Sequence, residues 1–222
     1  LWDVAASPRV DHFWANSAFV ARRIRRYYGR DAEVLHPPVD VGAFADEGID
    51  EEKNGADNHG AGAYNLPEGE FALAVSALVP YKKLDLAIQA CELVGMELWI
   101  VGTGPERPAL EKLCRGKTRL LGRVDDRLLR RLFRRATLFV QPGIEVFGIA
   151  SVEALAAGTP VVAQGRGGIL DIVRDGVHGV LYEGSELDRL AAAIDKSSKI
   201  RFNPLELESR AAQFSADRFG HG

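Results

Sequence analysis

The stretch FALAVSALVPYKKLDLAIQACELVGMELWIVG, residues 71–102, decides the fold class. FALAVSAL (71–78) is an apolar run of strand length, the pattern of a strand buried on both faces. Residues 84–94 change period and place Leu84, Ala87, Ile88, Cys91 and Val94 on one face of a helix. ELWIVG (97–102) returns to the strand pattern. Two strands joined through one helix form a βαβ unit, and such strands run parallel.

The alternation continues to the C-terminus. A helix over 105–115, with Pro105 in its first turn, leads to the strand RLLG (119–122). A helix at 126–135 precedes TLFVQ (137–141), and one at 148–157, closed by Gly158, precedes PVVAQ (160–164). A short helix at 168–174, the strand HGVLY (178–182) and helices at 186–196 and 204–214 complete the series. Right-handed crossovers make this a doubly wound parallel sheet, a Rossmann-like α/β domain over residues 70–222. No repeat of fixed period interrupts it.

Upstream, VDHFWAN (10–16) reads as a strand running into Ser17, which can cap a helix over AFVARRIRRYY (18–28) that Gly29 ends. Phe19, Ile24, Tyr27 and Tyr28 gather near one face of that helix. AEVL (32–35) is a short strand, and Pro37-Pro38 stops regular structure. Residues 45–66, ADEGIDEEKNGADNHGAGAYNL, are acidic, Gly/Asn-rich and aperiodic, and read as a mobile insertion within a linker over 37–69.

Across the 222 residues, 28 Lys+Arg face 31 Asp+Glu, a net charge of −3 that argues against a broad nucleic-acid binder. The basic runs at 22–26 and 130–135 read as solvated helix faces. With 46% apolar and 27% charged residues, the chain has the balance of a soluble protein able to bury a core. Two cysteines, Cys91 and Cys114, exclude a disulfide framework; both lie in apolar helical patterns and read as reduced core thiols of a cytoplasmic protein. No apolar run approaches the roughly 18 residues of a membrane span. Trp2 to Arg9 contains no apolar signal segment. None of the histidines at 12, 36, 59, 178 and 221 pairs with Cys or another His at ligand spacing, so no metal is expected.

Two tempting motifs fail. Gly116-Lys117-Thr118 follows a helix, not a strand, and Glu111 stands where a P-loop needs its first Gly. Gly102-Thr103-Gly104 follows a strand as a dinucleotide fingerprint does, but Arg107 occupies the position of the third small residue, leaving a tight strand-to-helix turn.

Chemistry concentrates in QPGIEVFGIASVEALAAGTPVVAQGRGG (141–168). Glu145 ends a loop after a strand, Phe147-Gly148-Ile149 opens a helix, and Glu153 lies on its second turn. Free N–H groups at a helix N-terminus bind phosphate oxygens, and Gly148 lets a diphosphate approach the backbone. A carboxylate before the helix can accept from sugar hydroxyls on one side of the diphosphate, and one about a turn and a half in from ribose hydroxyls on the other. A second loop, Ser76-Ala77-Leu78-Val79-Pro80-Tyr81-Lys82-Lys83, leaves the carboxyl end of its strand, where ligands bind in open α/β sheets. A Lys there can hold a diphosphate as a point charge.

In this order, the signals resemble the C-terminal, donor-binding half of glycosyltransferase family 4, the group 1 retaining transferases with the GT-B fold. VSALVPYKKLDLAIQA resembles its first loop and helix, IVGTGPER its second strand and turn, and LLGRVDD its nucleobase loop. EVFGIASVEALAAGTPVVA resembles its signature of two glutamates spaced by seven residues, and GRGGILDIVRDGVHGVLY its Gly-Gly loop. The YK form of the first loop and GRGG look most like bacterial mannosyltransferases of O-antigen synthesis. VDHFWANSAFVARRIRRYYGRDAEVLHPPVD resembles the end of the N-terminal acceptor domain, so residues 1–36 read as a remnant of it. Two residues depart from the pattern: Ala77 stands where the family usually has Arg, and Asp171 where Glu is common.

The resemblance implies transfer of a hexose, with mannose a candidate, from a GDP- or UDP-sugar to an acceptor hydroxyl with retention and without metal. It gives Lys82 and Glu145 the catalytic roles: Lys82 against the leaving diphosphate with the N–H groups of Phe147, Gly148 and Ile149, and Glu145 on the donor sugar. Glu153 would bind ribose, Arg123 and Val124 would flank the base, and Ser76 and Gly102 would line the donor site. The implied partners are a nucleotide sugar, a glycan or lipid-linked acceptor and a missing acceptor domain, with no nucleic acid. The implied setting is the cytoplasm, including the inner membrane face. Two further readings stay open: a nucleotide-sugar-binding module or inactive homologue, and a GT-B epimerase or phosphorylase.

Overall fold

The structure, a computed structural model, describes residues 5–45, 66–67 and 69–219. The expected insertion falls almost wholly on residues outside this set. Six strands form one parallel sheet: β3 (Phe71–Val75), β4 (Glu97–Val101), β5 (Thr118–Gly122), β6 (Leu138–Gln141), β7 (Val161–Gln164) and β8 (Gly179–Tyr182), in the order β5-β4-β3-β6-β7-β8. Alternate residues of β3 enter different cores: Phe71 and Leu73 pack with Trp99, Phe133 and Phe139 on one face, Ala72 and Ala74 with Leu98, Ile100 and Leu138 on the other. Both faces are covered, which is why the strands read as unbroken apolar runs.

Helices α3 (Leu84–Val94), α4 (Arg107–Leu113), α5 (Asp126–Arg135), α6 (Ile149–Ala156), α7 (Leu187–Ser198) and α8 (Pro204–Ala211) carry the crossovers and the C-terminal end of the chain. The strand order reverses between β3 and β6. Their carboxyl ends therefore release two loops into the same crevice, the place where open α/β sheets bind ligands.

A second, two-stranded parallel sheet pairs β1 (Trp14–Ala15) with β2 (Glu33–Val34) through α1 (Ala18–Tyr28). Ser17 caps α1 by accepting from the Val20 N–H at 3.2 Å, and Gly29 ends it at φ 65°. None of the residues of α1 is buried. This unit joins the large domain along the linker, where the Val39 N–H donates to the Phe214 carbonyl at 2.9 Å.

Five expectations need correction. The strand read over 10–16 shrinks to Trp14–Ala15. Helix 105–115 starts only at Arg107, because Leu78 ties down the preceding turn, donating to Thr103 and accepting from the Glu106 N–H. Helix 168–174 is one 3-10 turn, Gly168–Asp171, and 204–214 breaks after Ala211 into a 3-10 turn. Cys91 is a buried core thiol, pushed up to about 12 by burial; Cys114 follows the end of α4 and is only half-buried. Short helices α2 (Gly42–Ala45) and α9 (Ala216–Phe219) carry no sequence signal strong enough to read. Among the described residues, no helix is long and apolar enough to cross a membrane.

Candidate nucleotide-sugar site

Three glycines let three loops press together. A Cβ on Gly143 would lie 2.7 Å from the Tyr81 carbonyl oxygen and 2.8 Å from the Lys82 Cα. One on Gly167 would lie 2.5 Å from the Glu145 carbonyl oxygen, and one on Gly168 2.3 Å from that of Val146. The loop after β6 is thus sandwiched between the loop after β3 and the Gly-Gly turn after β7. The Gly168 N–H secures the stack by donating to the Glu145 carbonyl at 2.8 Å.

This packing brings Lys82 to Glu145. The two form an ion pair in which the Lys82 ammonium donates to Glu145 Oε1 and both side chains are mostly buried, 17% and 19% exposed. The Lys82 ammonium also stands 5.1 Å from the centre of the Tyr81 ring, a cation–π contact. Beside the pair lies a cavity of about 320 Å³ lined by Ser76, Lys82, Gln141, Glu145 and residues 147–150. Gly148, at φ 112°, takes the N-cap position of α6 and offers no capping side chain. Among the described residues, no protein acceptor takes the N–H groups of Phe147, Gly148, Ile149 or Ala150. A helix N-terminus left open beside a cation suits an anion. The Phe147 side chain is itself in the core, 2% exposed, so only its backbone faces the cavity.

A second cavity of about 380 Å³ adjoins the first, sharing Val75 and Ser76; Ala77, Gly102, Thr103, Arg123 and Val124 line it as well. Gly102 serves packing here: a Cβ on it would lie 1.9 Å from the Ser76 carbonyl oxygen. Arg123 is exposed at this cavity and Val124 packs against the core. Two neighbouring compartments, one with the Lys82–Glu145 pair beside an open helix N-terminus and one mostly apolar with Arg123 in its lining, can take a diphosphate and a base.

Glu153 lines neither cavity. It is half-buried on α6, and its carboxyl is raised above the usual range by burial and then by the nearby Asp126 carboxylate. No hydrogen bond or ion pair holds it among the described residues. Sequence reasoning missed Gln141, Asn16 and Pro37, which also line the first cavity. Gln141 is buried and accepts from the Ser151 hydroxyl at 2.7 Å, fixing the start of α6 to the end of β6. A polar residue ending an otherwise apolar strand was its only signal.

A doubly wound parallel sheet with an open helix N-terminus and a lysine at its switch point defines a Rossmann-like α/β domain, a class that binds ligands in that crevice. Residues 63–215 match the family described as glycosyl transferases group 1. The chain is also 32% identical over 228 aligned residues to D-inositol 3-phosphate glycosyltransferase of Mycobacterium tuberculosis, spanning 95% of this chain and 46% of that protein. It therefore belongs to the group 1 glycosyl transferases, and it spans about half the length of the curated relatives it matches. Among solved structures, the Anabaena protein HepE in complex with UDP and glucose shares the fold at a TM-score of 0.76 and 21% identity, over 98% of this chain and 63% of its own. Sucrose-phosphate synthase from Thermosynechococcus elongatus does so at 0.81 and 19%, over 99% and 58%.

Proposed function

We propose that residues 70–222 hold a nucleotide diphosphate hexose and that the protein transfers the hexose to an acceptor hydroxyl with retention. The observation that supports this best is one cavity presenting an ammonium, an uncapped helix N-terminus and a carboxylate together. In the proposed reaction, the bond from the sugar's anomeric carbon to the β-phosphate oxygen breaks. A bond from that carbon to the acceptor oxygen forms on the same face, and the acceptor proton passes to the leaving phosphate. Lys82 and the N–H groups of Phe147, Gly148 and Ile149 stabilise the charge developing on that phosphate. Glu145 accepts from the sugar hydroxyls, while Arg123 and Val124 border the base beside Ser76 and Gly102; Glu153 is assigned to the ribose, which must extend past both cavities to reach it.

Positive charge at the diphosphate comes here from Lys82 and the helix terminus, so we propose donor binding without a divalent metal. The donor is proposed as a GDP- or UDP-hexose, mannose included, and the acceptor as a glycan or lipid-linked hydroxyl. The M. tuberculosis relative's name adds a phosphorylated cyclitol to the candidates. Residues 1–36 are proposed to belong to the acceptor side, with 37–69 the linker.

Ala77 favours a second reading, a binding module without turnover, because the guanidinium the family usually places there is missing. Product analysis with radiolabelled GDP-mannose and UDP-glucose separates the two. Labelled product that keeps the donor's anomeric configuration supports transfer; binding with no transfer to any acceptor, even with an acceptor-side domain added, supports the module.

A further inference from the structure

Ser17 has two duties. As the N-cap of α1 it accepts from Val20, a job that an exposed serine does equally well. Yet Ser17 is 0% exposed, and its hydroxyl donates to the carbonyl of Val146, 129 residues away, with the Asn16 side chain as an alternative acceptor at 3.4 Å. The next residue repeats the link: the Ala18 N–H donates to Asp171 Oδ2 at 2.6 Å. Asp171 closes the 3-10 turn that begins at Gly168, the residue whose N–H holds the Glu145 carbonyl. The His36 ring stacks on Phe147 with centroids 5.4 Å apart. Three consecutive residues, Glu145, Val146 and Phe147, are thus gripped in turn, two of them by groups from residues 17–36.

We propose that Ser17 is a positioning residue that sets the Glu145 loop, so that the carboxylate facing the donor sugar depends on the docking of the N-terminal segment. The assignment of Glu145 to the sugar rests on the proposed donor reading; the mechanical link between Ser17 and the loop does not. A carbonyl that loses its buried donor is left to seek another, and the loop gains freedom at the residue next to Glu145.

The test compares wild type with Ser17→Ala and Gly29→Ala. Gly29 sits at the other end of α1 at φ 65° with open space around it, so an alanine there strains the helix without touching the loop. In ligand-free protein, the Gly168 amide should exchange roughly three- to tenfold faster in Ser17→Ala, the effect of losing one half-buried hydrogen bond. β3 and β4 amides should not change, and Gly29→Ala should leave Gly168 as in wild type. Titrated with UDP, UDP-glucose, GDP and GDP-mannose, Ser17→Ala should weaken the sugar nucleotide that binds roughly three- to tenfold and its parent diphosphate less than about twofold. Unchanged Gly168 exchange, an equal rise in Gly29→Ala, or equal loss for diphosphate and sugar nucleotide would overturn the proposal. If wild type binds none of the four, the donor reading fails, and the exchange result alone decides the role of Ser17.

Discussion

Lys82 and Glu145, 63 residues apart in sequence, pair with each other at the crevice where the strand order reverses. On the proposed donor reading, a diphosphate would compete with Glu145 for the ammonium, and a sugar hydroxyl would take up the carboxylate so released. The variants should therefore split. Glu145→Gln frees Lys82 and should leave UDP or GDP affinity equal or up to severalfold tighter, while the matching sugar nucleotide weakens by about tenfold. Lys82→Ala should weaken both by about tenfold or more. Calorimetric titration of the two variants checks the split, and a parallel loss of both ligands in Glu145→Gln would refute it.

Glu153 carries a second consequence. Burial, and then the nearby Asp126 carboxylate, raises its folded-state carboxyl above the usual carboxylate range, so the folded state resists its ionisation. The stability linked to this group is full below the unfolded value and is lost as pH rises through the raised folded value. Glu153→Gln removes that loss: its melting temperature should exceed wild type at pH 7 and converge with it near pH 4. If the ribose hydroxyls use this carboxylate, the same variant should bind UDP or GDP about tenfold more weakly. A variant less stable than wild type at pH 7 would show that Glu153 has a stabilising partner.

Gly143 separates packing from backbone freedom. Gly143→Ala pushes a methyl into the Tyr81 carbonyl and Lys82 Cα, so it should cost about 1–3 kcal/mol of stability and weaken diphosphate binding through displaced Lys82. Gly176→Ala, at φ +75° in open space, should cost about 1 kcal/mol with binding intact. Denaturant unfolding and UDP titration on both variants test this; equal binding losses would mean that the close approach at Gly143 does not set Lys82.

Ala77 is exposed at the second cavity, next to Ser76, which lines both. Ala77→Arg should add a forked donor near the diphosphate and tighten UDP or GDP by roughly 1–3 kcal/mol, with little effect on uridine or guanosine. Equal diphosphate affinity in the two proteins would place position 77 away from the phosphates.

What the sequence disclosed was local. Helix 126–135 was legible to the residue because Asp125 caps it through the Leu128 N–H at 2.7 Å and its apolar period is strong. The loop carrying Glu145 and the helix carrying Glu153 were legible from other cues: an apolar strand ends just before the loop, and glycines stand at either end of the helix, Gly148 and Gly158. Contacts across the fold were not. Nothing in the spacing of QPG says that Gly143 faces the Lys82 backbone, or that the cap Ser17 also reaches Val146. Gly102 lines the second cavity, and the close pass of Ser76, which the sequence did not disclose, also demands its missing side chain. Cys114 looked like a helix-core residue because it continues the apolar spacing of Leu110 and Leu113, but it is the first residue beyond α4.

The most direct test of the central claim is calorimetric titration of the wild-type chain and Lys82→Ala with UDP-glucose and GDP-mannose in EDTA. If the proposed donor site holds the diphosphate through Lys82 and backbone N–H groups, one of the two should bind wild type with a Kd of about 0.1–1 mM and should bind Lys82→Ala about tenfold more weakly. No binding of either, binding that appears only when magnesium replaces EDTA, or binding indifferent to Lys82 would contradict the account.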